Sequence, residues 1–239
     1  MLLLVRSMFN LATISLLFLL VFSKPAGLPA PELSWDFTED IHLLAEDFCR
    51  DIYCEAGLEG KLEYTVFRRA FKGITEIDAP KKHILTIIDY TKPACDRRFF
   101  VIDLEKRKLL YHTLVAHGKN SGELMCNRVS NRPKSLQSSP GFFLTAETYS
   151  GRHGYSMRLD GMETGLNDMA RARAIVIHGA EYVAQHYVDD VGYIGRSFGC
   201  PALPLEVNRK IIDLIKDGSC LYIHTNDKNY ANLTSYCCD

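Results

Sequence analysis

Three absences narrow the reading before any motif is found. The chain of 239 residues has no excess of either charge, with 28 Lys and Arg against 29 Asp and Glu and a net of −1. Removing the first 23 residues, which hold Arg6 alone, leaves 27 cations against 29 anions, or −2. Neither value creates a global positive field that would draw the protein to nucleic acid or anionic lipid. Internal repeats are missing, and so are low-complexity tracts away from the termini. A full membrane span is missing too: the uncharged apolar run Leu11 to Phe22 is about a dozen residues, where a spanning helix needs roughly twenty.

What that run does fit is a signal peptide over residues 1–23, with one early cation followed by an apolar core. Lys24-Pro25 then opens a Pro-rich linker over 24–36. Counting the run back to Leu2 across Arg6 gives the other reading, an uncleaved anchor, so contact with a membrane is expected only if the leader is retained. Export implies an extracytoplasmic location. It also makes the eight cysteines meaningful, because exposed thiols tend to pair in an oxidising compartment. Eight is even, so a thiol kept for chemistry would leave seven, which cannot all pair within the molecule.

The rest of the chain divides by pattern. Ile41, Leu44, Ala45, Phe48 and Ile52 recur at three- and four-residue steps after Thr38, which predicts an amphipathic helix ended by Gly57. Leu62, Val66, Ala70 and Phe71 carry a second helix to Gly73, making a helical hairpin over 37–79. After Pro80 the runs are short and rich in Ile, Val, Phe, Tyr and Thr. Strands are expected over 83–89, 99–103, 109–115, 142–148, 155–159, 174–178 and 220–225, with a late helix from Leu205 to Lys216. Arg97, Arg98, Lys106, Arg107 and Lys108 read as the solvated side of a hairpin. Long loops remain at 118–140 and 179–204, and such loops in a β-rich domain are usually functional. The fold class is thus mainly β with flanking helices: a catalytic-size domain over 80–226, then a Cys-containing tail over 227–239.

Two segments carry chemistry. Ala174-Ile175-Val176-Ile177-His178-Gly179-Ala180 places a histidine at the end of an apolar strand, with rigid backbone behind it and space ahead, as a general base requires. Gly195-Arg196-Ser197-Phe198-Gly199-Cys200-Pro201-Ala202 places a cysteine just after a glycine, where backbone amides can converge on an oxyanion. Taken singly, a strand-ending His is more often structural, and a Cys in a Gly-rich loop is more often half of a disulfide.

Together they resemble the L,D-transpeptidase catalytic domain, also called YkuD-like, whose signature is His-Gly followed some twenty residues later by Ser-x-Gly-Cys. The likeness is to the murein L,D-transpeptidase subgroup. It extends to Val115-Ala116-His117-Gly118-Lys119-Asn120-Ser121-Gly122 and Leu159-Asp160-Gly161, and covers roughly Leu43 to Ile223. The resemblance implies a β-sandwich or barrel-type catalytic domain. It implies that Cys200 attacks the third-residue carbonyl of a peptidoglycan tetrapeptide stem, with His178 as base, the Gly179 carbonyl orienting its imidazole, and amides around Phe198, Gly199 and Cys200 holding the oxyanion. Terminal D-alanine leaves, and the acyl group passes to a neighbouring amine or to water. No cofactor or metal is implied, and a carbapenem is expected to acylate Cys200.

The chain departs from the commonest family pattern at Phe198, where many members have a second histidine, and at Ala202, where many have an arginine. His117, Arg196, Ser197 and Tyr155 are the candidates for substrate binding, with His153 and Arg158 as further polar residues. Rival readings are weaker. Papain-like hydrolases place the cysteine before the histidine, the reverse of the order here. A zinc site from His178, His153 and Cys200 lacks any short ligand spacing. A wall-binding module that lost activity would not need both Cys200 and His178, whereas a carboxypeptidase trimming the same stems would. Of the other cysteines, Cys237 or Cys238 is expected to pair with Cys49 or Cys54, fastening the tail to the helical preface.

Overall fold

A computed structural model describes residues 37–79, 81–228 and 230–236. The leader and linker expected over 1–36 and the cysteines Cys237 and Cys238 lie outside the described residues. Ala45–Asp239 form one compact unit. The described residues before it, 37–44, open helix α1 (Phe37–Glu55). Helix α2 (Tyr64–Glu76) follows, and with it the chain enters the strands.

One sheet holds all eight strands: β1 (Lys81–Asp89), β2 (Phe99–Asp103), β3 (Lys108–Thr113), β4 (Gly141–Gly151), β5 (Gly154–Gly161), β6 (Val176–Gly179), β7 (Ala202–Leu203) and β8 (Ser219–His224). Their order is β3-β2-β1-β8-β4-β5-β6-β7. The β1–β8 and β6–β7 pairs are parallel and the others antiparallel. Just beyond β3 at one edge, Ala116 N–H donates to Ala202 O of β7 at the other (2.9 Å), and Ser197 N–H donates to His117 O (2.9 Å). These links curl the sheet into a nearly closed, barrel-like shape. The fold is mainly β with flanking helices, as the pattern of runs implied.

The central strands are buried on both faces, which explains why their sequences are continuously apolar rather than alternating. Leu85, Ile87, Phe100, Ile102, Phe142, Cys220 and Tyr222 face the helices α1 and α2. Ile84, Ile88, Phe99, Val101, Phe143, Leu221 and Ile223 face the opposite core. There, Ile211, Ile212 and Ile215 of helix α4 (Leu205–Ile215) pack against them. Close packing also fixes Gly73 of α2, where a Cβ would lie 2.1 Å from the Phe142 ring.

The structure corrects the outline in several places. The segment expected as a loop over 179–204 contains helix α3 (Gln185–Val191) and β7. Helix α3 has no buried residue, so it left no apolar period, and β7 is only two residues long. The expected boundary at 79/80 is not a boundary of packing, because Phe67, Phe71 and Ile74 of α2 share a core with β1, β2 and β8. The tail expected from residue 227 is, as far as 236, part of the same unit. Its short helix α5 (Tyr230–Leu233) buries Tyr230 to 4 % exposure, and Tyr236 meets the Phe142 ring edge-on at 5.5 Å. Arg98, expected on a solvated hairpin face, is completely buried. The carbonyls it meets, described below, make that burial tolerable.

Candidate active site

Strands β6 and β7 bring the two sequence motifs together. In their parallel register His178 lies opposite Ala202 and Gly179 opposite Leu203, so Cys200 and Pro201 arrive at the strand that ends in His178. His178 is 2 % exposed, and its Nδ1 lies 2.9 Å from Gly179 O. A carbonyl accepts only, so Nδ1 carries the proton and Nε2 keeps its lone pair. Burial, offset in part by that carbonyl and reinforced by the nearby His153, holds the imidazole below its usual range and therefore neutral near pH 7. The His153 ring stacks on it at 4.4 Å.

The Cys200 thiol is partly buried, and its Sγ donates to Ala174 O at 3.5 Å rather than to His178. Burial pushes this thiol up, while the Val176 N–H and the Arg173 guanidinium pull it down. In this resting geometry it is a thiol, and forming the thiolate requires a proton acceptor. Ala174, whose carbonyl accepts from the Cys200 thiol, itself has φ of 54°, the left-handed region.

The turn before Cys200 is fixed by Ser197. Its Oγ donates to Cys200 O (2.6 Å) and accepts from Gly199 N–H (3.0 Å). The Gly199 amide expected at an oxyanion is therefore occupied by Ser197 in this state. Gly199 has φ of 125°, and a Cβ there would sit 2.8 Å from Gln137 O, so only glycine fits.

The other expected residues separate into groups. His117 is completely buried. Arg98 donates to its Nδ1 (2.7 Å), so Nε2 carries the hydrogen toward Gly122 O (3.3 Å). Burial and the Arg98 charge push His117 down to about 4. With both ring nitrogens used internally, it braces the Ser197 turn through its backbone carbonyl instead of facing a cleft. Arg196 is turned the same way, donating to Gly122 O (3.0 Å) and Lys119 O (3.4 Å). Tyr155 points at α4, its hydroxyl donating to Asp213 (2.7 Å) with Arg209 over its ring at 4.4 Å. Arg158 pairs with Glu147 at 3.1 Å.

Sequence reasoning missed Arg173 and Tyr182, which lie outside the motifs, and the contacts that Ala174 and Val176, inside the first motif, make with the thiol. Burial and the neighbouring Cys200 push Tyr182 up to about 12. Phe198, at the position where many relatives have histidine, is 66 % exposed with Lys119 over its ring at 4.8 Å. It lines a cavity of about 330 Å³ with Pro133, Leu136, Arg173 and Ile175. No cluster of three or more His, Cys, Asp or Glu able to hold a metal occurs among the described residues, nor does any helix long and apolar enough to cross a membrane.

A family model for the L,D-transpeptidase catalytic domain matches residues 58–224. The chain belongs to that family. The match covers both core faces, the His178 strand and the Cys200 turn. Among solved structures, an L,D-transpeptidase from Mycobacterium smegmatis is 15 % identical with a TM-score of 0.37, over 60 % of this chain and 59 % of that one. One from Stackebrandtia nassauensis is 16 % identical with a TM-score of 0.36, over 75 % and 77 %. The L,D-transpeptidase LdtMt1 in complex with imipenem is 14 % identical with a TM-score of 0.37, over 59 % of each chain. The chain thus spans about three fifths of the length of the first and third of these proteins. No curated protein matches the chain.

Proposed function

We propose that this member of the L,D-transpeptidase family is an exported, periplasmic or wall-associated cysteine acyltransferase acting on peptidoglycan tetrapeptide stems. The observation that carries the reading is the β6–β7 register, which sets a neutral His178, with Nε2 unprotonated, beside the turn that presents Cys200.

In this reading substrate draws the thiol away from Ala174 O, and His178 Nε2 takes its proton. The thiolate attacks the carbonyl of the third stem residue, forming a tetrahedral oxyanion. Because Ser197 holds the Gly199 amide, the oxyanion falls to the amide of Cys200 itself, joined by that of Gly199 if Ser197 releases it. Collapse breaks the peptide bond, His178 returns its proton to the departing D-alanine amine, and a thioester remains. An amine of a neighbouring stem then attacks the thioester and regenerates the thiol, giving a cross-link. Attack by water gives the alternative outcome, an L,D-carboxypeptidase.

The decisive test is mass spectrometry of muropeptides after incubation with purified enzyme. D-Alanine release with dimer formation is expected from the wild type, and at least a thousandfold less from Cys200→Ser and from His178→Ala, which act as one unit. Near-normal turnover by Cys200→Ser would refute the nucleophile assignment. Release without dimers would select the carboxypeptidase, and no release of any kind would favour a wall-binding module. Intact-mass analysis with a carbapenem should find one adduct, mapping to Cys200.

A further inference from the structure

Arg173 is named by neither motif, yet it sits where the Cys200 turn, the 130–139 loop and the entry to β6 meet. Its guanidinium makes four hydrogen bonds into one loop: Nη1 to Ser130 O (2.5 Å) and Ser139 Oγ (2.5 Å), Nη2 to Gln137 O (2.7 Å) and Ser135 Oγ (3.2 Å). The same Nη2 lies 3.5 Å from where a Cβ on Gly199 would be, one residue before the nucleophile. Its neighbour in sequence, Ala174, supplies the carbonyl that accepts the Cys200 thiol. None of the four partners is a carboxylate, and among the described residues no ion pair engages Arg173. The positive charge is anchored by neutral groups and remains electrostatically available.

We propose that Arg173 is a positioning residue for the reaction at Cys200, seating the 130–139 loop under Gly199 and supplying the cation that steadies the thiolate. The proposal rests on the nucleophile reading above. Arg173 brings its guanidinium to the Cys200 turn from the turn that precedes β6. The charge also explains why the thiol, though raised by burial, is drawn back down by this side chain. Reciprocally, a negative charge at Cys200 favours the charged form of Arg173, whose own burial opposes it.

The test separates charge from scaffolding by the pH dependence of Cys200 alkylation with iodoacetamide, followed by mass spectrometry of the peptide containing Cys200. Arg173→Gln should raise the midpoint by about one pH unit or more and slow alkylation at pH 7 about tenfold, the effect of losing one nearby opposite charge. Arg173→Lys, which keeps the charge but not the planar fork, should recover most of that shift. A midpoint unchanged in Arg173→Gln, or moved equally by Gln and Lys, overturns the proposal. Should Arg173→Gln not fold, the same profile on Ser139→Ala, which frees one anchor of the guanidinium, must move upward by a smaller amount. No movement there is equally fatal. Failure of the underlying reading looks different: Cys200→Ser would keep its turnover, whatever the Arg173 variants do.

Discussion

Two of the charged side chains that the protein buries, one of each sign, are treated differently. Arg98 lies behind the site and is fully enclosed. It donates to Val115 O (3.0 and 3.2 Å), Lys92 O (2.8 Å) and His117 Nδ1 (2.7 Å), and rests over the Tyr90 ring at 4.9 Å. Glu163, 1 % exposed, lies just after β5 and accepts from Phe142 N–H at the start of β4 (2.6 Å), Tyr230 OH (3.1 Å) and Thr234 OH (2.5 Å). Neither is bonded to an opposite charge among the described residues; both are met by neutral dipoles. The cation ties together the segments that lead into the Ser197 turn, whereas the anion ties the chain end to the sheet. Arginine does not titrate in any ordinary range, so the first region is vulnerable in acid, through His117. The second is vulnerable as the pH rises, through Glu163 itself.

The comparison breaks most visibly at Arg98. Arg98→Ala strands His117 Nδ1 and three carbonyl contacts in a dry interior and opens a cavity. Roughly 4 kcal/mol or more of stability should go, seen as a fall in thermal midpoint of about 10 °C. A loss under about 1 kcal/mol would show that the buried cation is not braced as described.

Next in size is the acid response. His117 falls from an ordinary 6.5 to about 4 in the fold. A group whose folded value is depressed gives stability that is present above the unfolded value and is lost as the pH falls through the folded one. A fall of about 2.5 units corresponds to about 3 kcal/mol lost between those two pH values. Denaturant midpoints across that range should show this slope in the wild type and a shallower one in His117→Gln. The residual slope belongs to the other groups lowered in the fold, His112, His178 and His224 together with the carboxyls of Asp103, Glu147 and Asp213.

The smallest effect has the opposite sign. Burial raises Glu163 above its ordinary 4.5, against the pull of its donors. The stability it contributes is therefore present below 4.5 and lost as the pH rises through the folded value. Glu163→Gln should lose less stability than the wild type on going from pH 4.5 to neutrality. Parallel curves for the two proteins would show that the carboxyl is not perturbed.

Much of this was legible in the chain. The central strands showed because they are buried on both faces and so are apolar throughout, and His178 and Cys200 showed because a family signature marks them. What hid were features with no sequence period. Helix α3 buries nothing, β7 is two residues long, and Arg98 looks like any surface cation until the carbonyls of Lys92 and Val115 are seen to converge on it. The same holds for the site. His117 and Arg196 were suggested by motif, but three-dimensional contacts turn both toward Gly122 O. Arg173 meets the Cys200 turn and the 130–139 loop only in three dimensions, a relation no local spacing encodes.

The joining of the sheet's edges at Ala116 and Ala202 also has a kinetic meaning. The Cys200 turn hangs on the last contact of a nearly closed sheet, between segments far apart in the chain, and such non-local pairings are entropically costly to form first. During refolding, strand signal should therefore recover before Cys200 becomes reactive. On the proposed reading, the reactivity of Cys200 is then a clock for the completion of the fold, because it appears only after the shell around the thiol has closed.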